Sequence, residues 1–128
     1  QNVWRWIVAS QTIAREKTGL WFLKQFSGVL VFVLILVHLL VNHMVSPSGL
    51  LSYQEVIAYL GNPWIATMEI IFLIVVTGHA LMGVRSILLD LNPSQRVISV
   101  IDPLLVVVGI GAAGYGIWLT MIIVGRAM

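Results

Sequence analysis

Residues 22–45 read FLKQFSGVLVFVLILVHLLVNHMV, an apolar run in which Lys24 is the one fixed charge. A helix needs about 20 mainly apolar residues to cross a bilayer, so this run is long enough. Inside lipid a single segment has to satisfy its own backbone N–H and C=O groups, and a helix does so. The stretch therefore predicts a transmembrane α-helix.

Two further apolar runs, 64–89 and 104–124, meet the same length requirement. Of the 128 residues, 59% are hydrophobic and only 9% are charged, whereas soluble domains carry about 25% charged residues. We predict an all-α integral membrane protein with three transmembrane helices in one domain, residues 22–128. Because three helices are too few to enclose an active-site cleft, we expect this domain to be part of a multi-subunit helix bundle. The absence of cysteine excludes thiolate ligation of zinc or an iron–sulfur cluster by this chain.

Residues between the spans predict where helices begin. Ser52 followed by Glu55 has the spacing of a capping box, which predicts a short surface helix to about Leu60. Two pairs in which an Asn or Asp caps a helix that a proline opens are predicted to start the second and third spans: Asn62-Pro63 and Asp102-Pro103.

Lysine and arginine are distributed unevenly between the two sides. Most of them lie before or at the start of the first span or near the second loop: Arg5, Arg15, Lys17, Lys24, Arg85 and Arg96. The first loop has none and the C-terminal tail has one. The positive-inside rule then places the N-terminus inside and the C-terminus outside. Residues 1–21 mix aromatic and basic side chains, which indicates an interfacial amphipathic segment or, alternatively, a basic tail with two aromatic anchors.

The third span is rich in small residues and contains no Asp, Glu, His, Lys or Arg within 104–124. Small residues four apart let helices approach closely, as Gly109 with Ala113 and Ala112 with Gly116 would. We interpret this span as a packing helix.

Two histidines lie deep within predicted spans, where ionisable side chains are costly and usually functional. His38 is roughly 21 Å from Lys24 along the helix, and His79 lies six residues before Arg85. Each imidazole either bonds to a neighbouring helix or ligates a metal, and haem iron is the metal that two such histidines favour. His43 is close enough to the end of the first span to be solvated.

Polar residues accompany each histidine. Residues eleven apart share a helix face, which relates Ser27 to His38 and His79 to Asp90. The two histidines are predicted to lie at different depths, which favours two separate irons over a shared one. Gly83 would let a flat macrocycle approach the backbone.

Arg85 has two interpretations. Its long side chain would reach a haem propionate, or it would extend to the inner interface as an anchor. The sequence favours neither.

Several of these residues together resemble a known family. Gln25-Phe26-Ser27-Gly28, then His38, then Gly78-His79 with Gly83, Arg85 and Asp90, are similar to the hydrophobic membrane anchor of succinate dehydrogenase, most of all to the D-type anchor of two-anchor, two-haem enzymes. One departure is Asp90-Leu91, where many members of the family have Asp-Tyr with the tyrosine bonded to quinone.

The resemblance implies a heterotetramer in the cytoplasmic membrane of a bacterium or archaeon. A flavoprotein with FAD would oxidise succinate, and an iron–sulfur subunit would pass electrons on to quinone. Two anchor subunits would hold the quinone site and haem b, with no nucleic acid involved. This chain would be a non-catalytic subunit of the enzyme, serving the tricarboxylic acid cycle and the respiratory chain.

The resemblance also implies roles for single residues. His79 would be an axial ligand of one haem and His38 of a second, with Gly83 beside the haem of His79 and Arg85 placed for a propionate or quinone contact. Ser27 and Asp90 would lie near quinone. The alternatives are the anchor of a quinol:fumarate reductase, and a haem-free membrane assembly or transport subunit in which both histidines bond to neighbouring helices.

Overall fold

The structure, a computed structural model, describes residues 18–46 and 49–128. Within these ranges it has four helices: α1 Thr18–Val45, α2 Tyr53–Leu60, α3 Pro63–Asp90 and α4 Gln95–Ala127. Helices α1, α3 and α4 are long and apolar enough to cross a membrane. The predicted all-α fold with three membrane-spanning helices is therefore confirmed. Most of the predicted interfacial segment, residues 1–21, lies outside the described residues, and its last four residues belong to α1.

The three long helices run antiparallel in chain order, and α3 packs against both α1 and α4. We call the end where α1 and α4 begin and α3 finishes the basic end. The opposite end is the capped end, because the short helix α2 lies across it and packs against α3 and α4. Lys24 Nζ donates to Ser86 Oγ over 2.7 Å, which sets α1 against α3 at the basic end.

Two of the predicted helix starts are confirmed. The Ser52 backbone N–H donates to Glu55 Oε2 at 2.6 Å, and the Glu55 N–H donates to Ser52 Oγ, which completes the capping box at α2. At the start of α3, the Asn62 side chain accepts a hydrogen bond from the Trp64 N–H at 3.0 Å, and Pro63 is the first helical residue.

The predicted start of the third span at Asp102-Pro103 is wrong. Helix α4 begins at Gln95, after Ser94, and Pro103 lies inside it. The Asp102 carboxylate does not cap a helix because it is paired with Arg85 of α3, at 2.8 Å from Oδ1 to Nε and 3.1 Å from Oδ2 to a terminal nitrogen. Membrane helices tolerate internal proline, so the Asp-Pro pair was an ambiguous signal.

Small residues on α4 bring it close to α3, as predicted. Gly109 is buried, and a side chain there would collide with Leu81; one at Gly116 would collide with Leu73. The face of α4 that packs closely against α3 includes Gly109 and Gly116. Ala112 is exposed and does not belong to this face.

The described part of the chain has almost no core of its own. Its buried hydrophobic residues are Tyr59, Leu60 and Ala66, all at the capped end. Most apolar side chains of the three long helices are exposed. Their surroundings in the assembled protein are therefore lipid or other subunits.

Candidate functional site

His79 is held by a serine from the facing helix. Its Nδ1 lies 2.9 Å from Ser27 Oγ, and Ser27 is buried, with 8% of its surface exposed. The Ser27 hydroxyl has one proton, which it donates to the Lys24 carbonyl at 2.9 Å, so it accepts from the Nδ1–H of His79. This assignment leaves Nε2 of His79 as the nitrogen with the lone pair.

Gly28 makes room for the same imidazole. A Cβ at this position would lie 3.2 Å from His79 Cε1, closer than a relaxed contact allows. The Ser27-Gly28 pair of α1 therefore serves His79 of α3. Sequence reasoning had related Ser27 to His38 along one helix face, whereas the structure joins Ser27 to His79 between helices.

His38 faces a carboxylate that sequence reasoning missed. Its Nδ1 lies 2.8 Å from Glu69 Oε1 and 2.9 Å from Oε2. The Tyr59 hydroxyl also donates to Glu69 Oε1. Asn42, one turn after His38, donates to the His38 carbonyl at 2.9 Å and to the Tyr59 hydroxyl at 3.3 Å. We call His38, Asn42, Tyr59 and Glu69 the capped-end cluster.

Glu69 carried a signal that would have identified it. It is an acidic residue inside the second predicted span, and intramembrane carboxylates are usually paired and functional. Tyr59 lies in α2 and gave no such signal, because only the fold brings α2 over the spans. Burial raises the pKa of the Tyr59 hydroxyl far above its usual value, with the hydrogen bond to Glu69 acting in the same direction. Tyr59 therefore stays protonated and remains the donor to Glu69.

The ring of His38 is also restrained on its faces. Phe72 stacks against it with ring centroids 5.0 Å apart. The amide nitrogen of Asn42 lies 3.4 Å from His38 Nδ1 and 3.2 Å from Nε2. The in-plane hydrogen-bonding directions of the two ring nitrogens diverge. The Asn42 nitrogen is at nearly equal distances from both ring nitrogens, so it lies on neither direction. The in-plane direction of Nε2 is therefore not taken by Asn42.

A cavity of about 390 Å³ adjoins the capped-end cluster. His38, Tyr59 and Glu69 line it, together with mainly apolar residues of α2, α3 and α4. Cavities of this size and lining are typical of small-molecule and cofactor sites.

The two histidines belong to different sites. His38 of α1 lies at the level of Glu69 of α3. His79 lies ten residues after Glu69 in α3, which is about 15 Å along the helix at about 1.5 Å per residue. His79 is thus near the basic end and His38 near the capped end. The predicted difference in depth is confirmed, and this separation excludes one iron with both histidines as its axial ligands.

The other predicted site residues are placed apart from the histidine side chains. Arg85 is engaged by Asp102, an interpretation that the sequence had not offered. Asp90 is exposed at the last position of α3, and His43 is exposed near the end of α1. At Gly83 the space that a side chain would occupy is open.

The donor set fits haem better than a bare ion. Among residues 18–46 and 49–128, no group of three or more His, Cys, Asp or Glu side chains is placed to hold a metal ion. Haem supplies four nitrogens of its own and needs only axial ligands from protein. An imidazole whose Nδ1 is hydrogen-bonded and whose Nε2 carries the lone pair has the form that such a ligand requires.

Comparisons with known proteins point the same way as these residues. The profile of the family described as succinate dehydrogenase/fumarate reductase transmembrane subunit matches residues 7–113. The succinate dehydrogenase hydrophobic membrane anchor subunit of Archaeoglobus fulgidus is 30% identical over 99 residues, which cover 77% of this chain and 84% of the relative. No solved structure matches the chain.

Proposed function

Since the chain belongs to the family of succinate dehydrogenase/fumarate reductase transmembrane subunits, we propose that it is the haem b-binding membrane anchor of a succinate:quinone oxidoreductase. In this function it holds the soluble subunits at the membrane and provides the path for electrons from the iron–sulfur subunit to quinone. The relative in Archaeoglobus fulgidus is named a succinate dehydrogenase subunit, which favours succinate oxidation over fumarate reduction.

The observation that carries the proposal is the geometry at His79. Ser27 holds Nδ1 and Gly28 gives the ring room, so Nε2 is positioned as a ligand before any group binds. A bound haem would supply one-electron transfer at this depth in the membrane. The protein's contribution is to fix the position, tilt and protonation state of its ligand.

A second haem is proposed at His38, with its Nδ1 held by Glu69 and its ring stacked on Phe72. This chain offers one histidine to each site. The second ligand of each haem would therefore come from the partner anchor subunit, which would cover the exposed apolar faces of this chain.

The quinone site is proposed at the basic end, near the haem of His79. Asp90 remains exposed there and is available to it. The Ser27 hydroxyl already bonds to His79 and to the Lys24 carbonyl, so its contribution to quinone binding would be indirect. Because Leu91 follows Asp90, the hydroxyl donor to quinone would come from the partner anchor.

The soluble flavoprotein and iron–sulfur subunits would dock at the basic end. That end carries Lys24, Arg85 and Arg96, and the positive-inside rule directs it to the cytoplasm. The chain would then lie in the cytoplasmic membrane of a bacterium or archaeon.

Spectroscopy of the purified complex tests this function, because the chain has only three histidines. We expect b-type bands in the reduced-minus-oxidised spectrum and two haems per complex. His79→Ala and His38→Ala should each remove one haem, while His43→Ala, the matched control, should keep both. A complex without a b-type band would refute haem binding and favour a haem-free anchor. A haem count unchanged in His38→Ala would refute the second site alone.

A further inference from the structure

The two histidines differ in the partner of their Nδ1. His79 donates to Ser27, a neutral hydroxyl, whereas His38 lies within hydrogen-bond distance of both oxygens of Glu69. A hydrogen bond to a charged acceptor is roughly twice as strong as one between neutral groups. The imidazole at the capped end is therefore held more firmly, and by a group that carries charge.

Glu69 is itself held by a second donor besides His38. Its side chain is 15% exposed, the Tyr59 hydroxyl donates to it, and Asn42 donates to that hydroxyl. Tyr59 comes from α2, so the short helix across the capped end reaches the carboxylate from outside the membrane-spanning helices. His38 of α1 and Tyr59 of α2 thus both bond to Glu69 Oε1, which restricts the rotation of the carboxylate.

A carboxylate that accepts the Nδ1–H of a ligating histidine has two effects. It selects the tautomer with the lone pair on Nε2 and fixes the ring orientation, and it increases the basicity of Nε2. A more basic axial ligand stabilises the oxidised iron more than the reduced iron, which lowers the reduction potential.

We propose that Glu69 is the positioning residue of His38: it holds the Nδ1–H so that the lone pair of Nε2 would be available to a haem iron, and it would lower the reduction potential of that haem. Tyr59 moderates this effect, because its donated hydrogen bond offsets part of the negative charge of the carboxylate. The inference rests on the proposed function, in which His38 is an axial ligand.

The test is a spectroelectrochemical titration of the purified complex, which measures the midpoint potential of each haem. Glu69→Gln keeps an oxygen acceptor of nearly the same shape but removes the charge, so the potential of the His38 haem should rise. Tyr59→Phe removes a donor to the carboxylate and leaves more charge on it, so the same potential should fall. The potential of the His79 haem should not change in either variant.

Glu55→Gln is the matched control. It makes the same replacement at an exposed carboxylate of the capped end that is bonded to Ser52 and not to the cluster. Its potentials should equal those of the unaltered complex. If Glu69→Gln loses the haem, Tyr59→Phe still tests the inference. A lower midpoint potential of the His38 haem in that variant requires the charged carboxylate of Glu69.

The outcomes separate this inference from the function beneath it. If His38→Ala removes a haem but Glu69→Gln leaves its potential unchanged, the role of Glu69 is overturned and the haem site stands. Equal shifts in the Glu69 and Glu55 variants, or an upward shift in Tyr59→Phe, also overturn it. A haem count unchanged in His38→Ala overturns the second haem site and this inference with it, and leaves the proposed haem of His79 standing.

Discussion

A histidine inside a membrane helix has two ring nitrogens that need hydrogen-bond partners or ligands. In this chain a residue of the facing helix bonds to one nitrogen of His79 and to one of His38. Ser27 determines which nitrogen of His79 carries the proton, and Glu69 does the same for His38. The two partners differ in charge, because one is the hydroxyl of Ser27 and the other is the carboxylate of Glu69. The two imidazoles therefore have different hydrogen-bond acceptors at the two ends of the bundle. At this scale the sequence revealed both histidines and Ser27, because polar residues are conspicuous in apolar runs.

Ser27→Ala should weaken haem binding at His79. The variant leaves Nδ1–H without its acceptor, and loss of such a partner typically lowers metal affinity by about 10–100-fold. The measurement is the haem-to-protein ratio of the purified complex during dilution or competition with apomyoglobin. Ser99→Ala is the control, since Ser99 also donates to a carbonyl of its own helix, at 2.8 Å, but is exposed and touches no histidine. Equal haem retention in both variants would contradict the role of Ser27.

The helices themselves show which local signals are dependable in a membrane protein. Asn62-Pro63 starts α3 as predicted, whereas Asp102-Pro103 lies within α4. The two pairs look alike in sequence, and they differ because Arg85 of α3 lies beside Asp102 and takes its carboxylate. A side chain with an ionic partner on another helix is not available as a cap.

Gly109→Val should destabilise the packing of α4 against α3. The new side chain would meet Leu81, and overpacking of this kind costs about 1–3 kcal/mol. The apparent unfolding temperature of the complex in detergent should fall. Gly111→Val, two residues away, has no atom within 4 Å of its Cβ position and should change it much less. If both variants lower the unfolding temperature equally, the helix propensity of valine rather than its packing against Leu81 determines the change.

The Arg85–Asp102 pair should contribute modestly to stability. Its side chains are 26% and 43% exposed, and partly exposed ion pairs contribute about 0.2–1 kcal/mol. A double-mutant cycle with Arg85→Gln and Asp102→Asn measures this coupling from the unfolding of the complex. We also expect both single variants to retain their haem, because Arg85 is bonded to Asp102. Loss of haem in Arg85→Gln with retention in Asp102→Asn would instead favour a propionate contact.

Over residues 18–46 and 49–128 the molecule is an antiparallel group of three long helices with its buried apolar residues at the capped end. Its exposed apolar surface shows why such a chain works as one part of a larger assembly. His38 and His79 are each partly exposed within this chain, which agrees with the proposal that a partner anchor completes both haem sites. Whether the basic end faces the cytoplasm is a property of the whole molecule, and it can be tested on the intact membrane.

The absence of cysteine makes that test direct. Gln54 and Gln95 are exposed residues of the same type at the capped and basic ends. A Gln54→Cys variant should react with a membrane-impermeant maleimide in intact cells, whereas Gln95→Cys should react only after the membrane is opened. The reverse pattern would overturn the orientation that the positive-inside rule predicts.

The sequence by itself determined the three spans, the short helix at the capped end, the two histidines and the family. These features are local, because hydrophobic length, caps and motif spacing depend on neighbours along one segment. Only the tertiary structure decided that Ser27 bonds to His79, that Glu69 and Tyr59 meet at His38, and that Arg85 engages Asp102. Such pairs depend on the register and rotation of one helix against another. Many weak contacts along the packed faces set both, and no single stretch of sequence contains them.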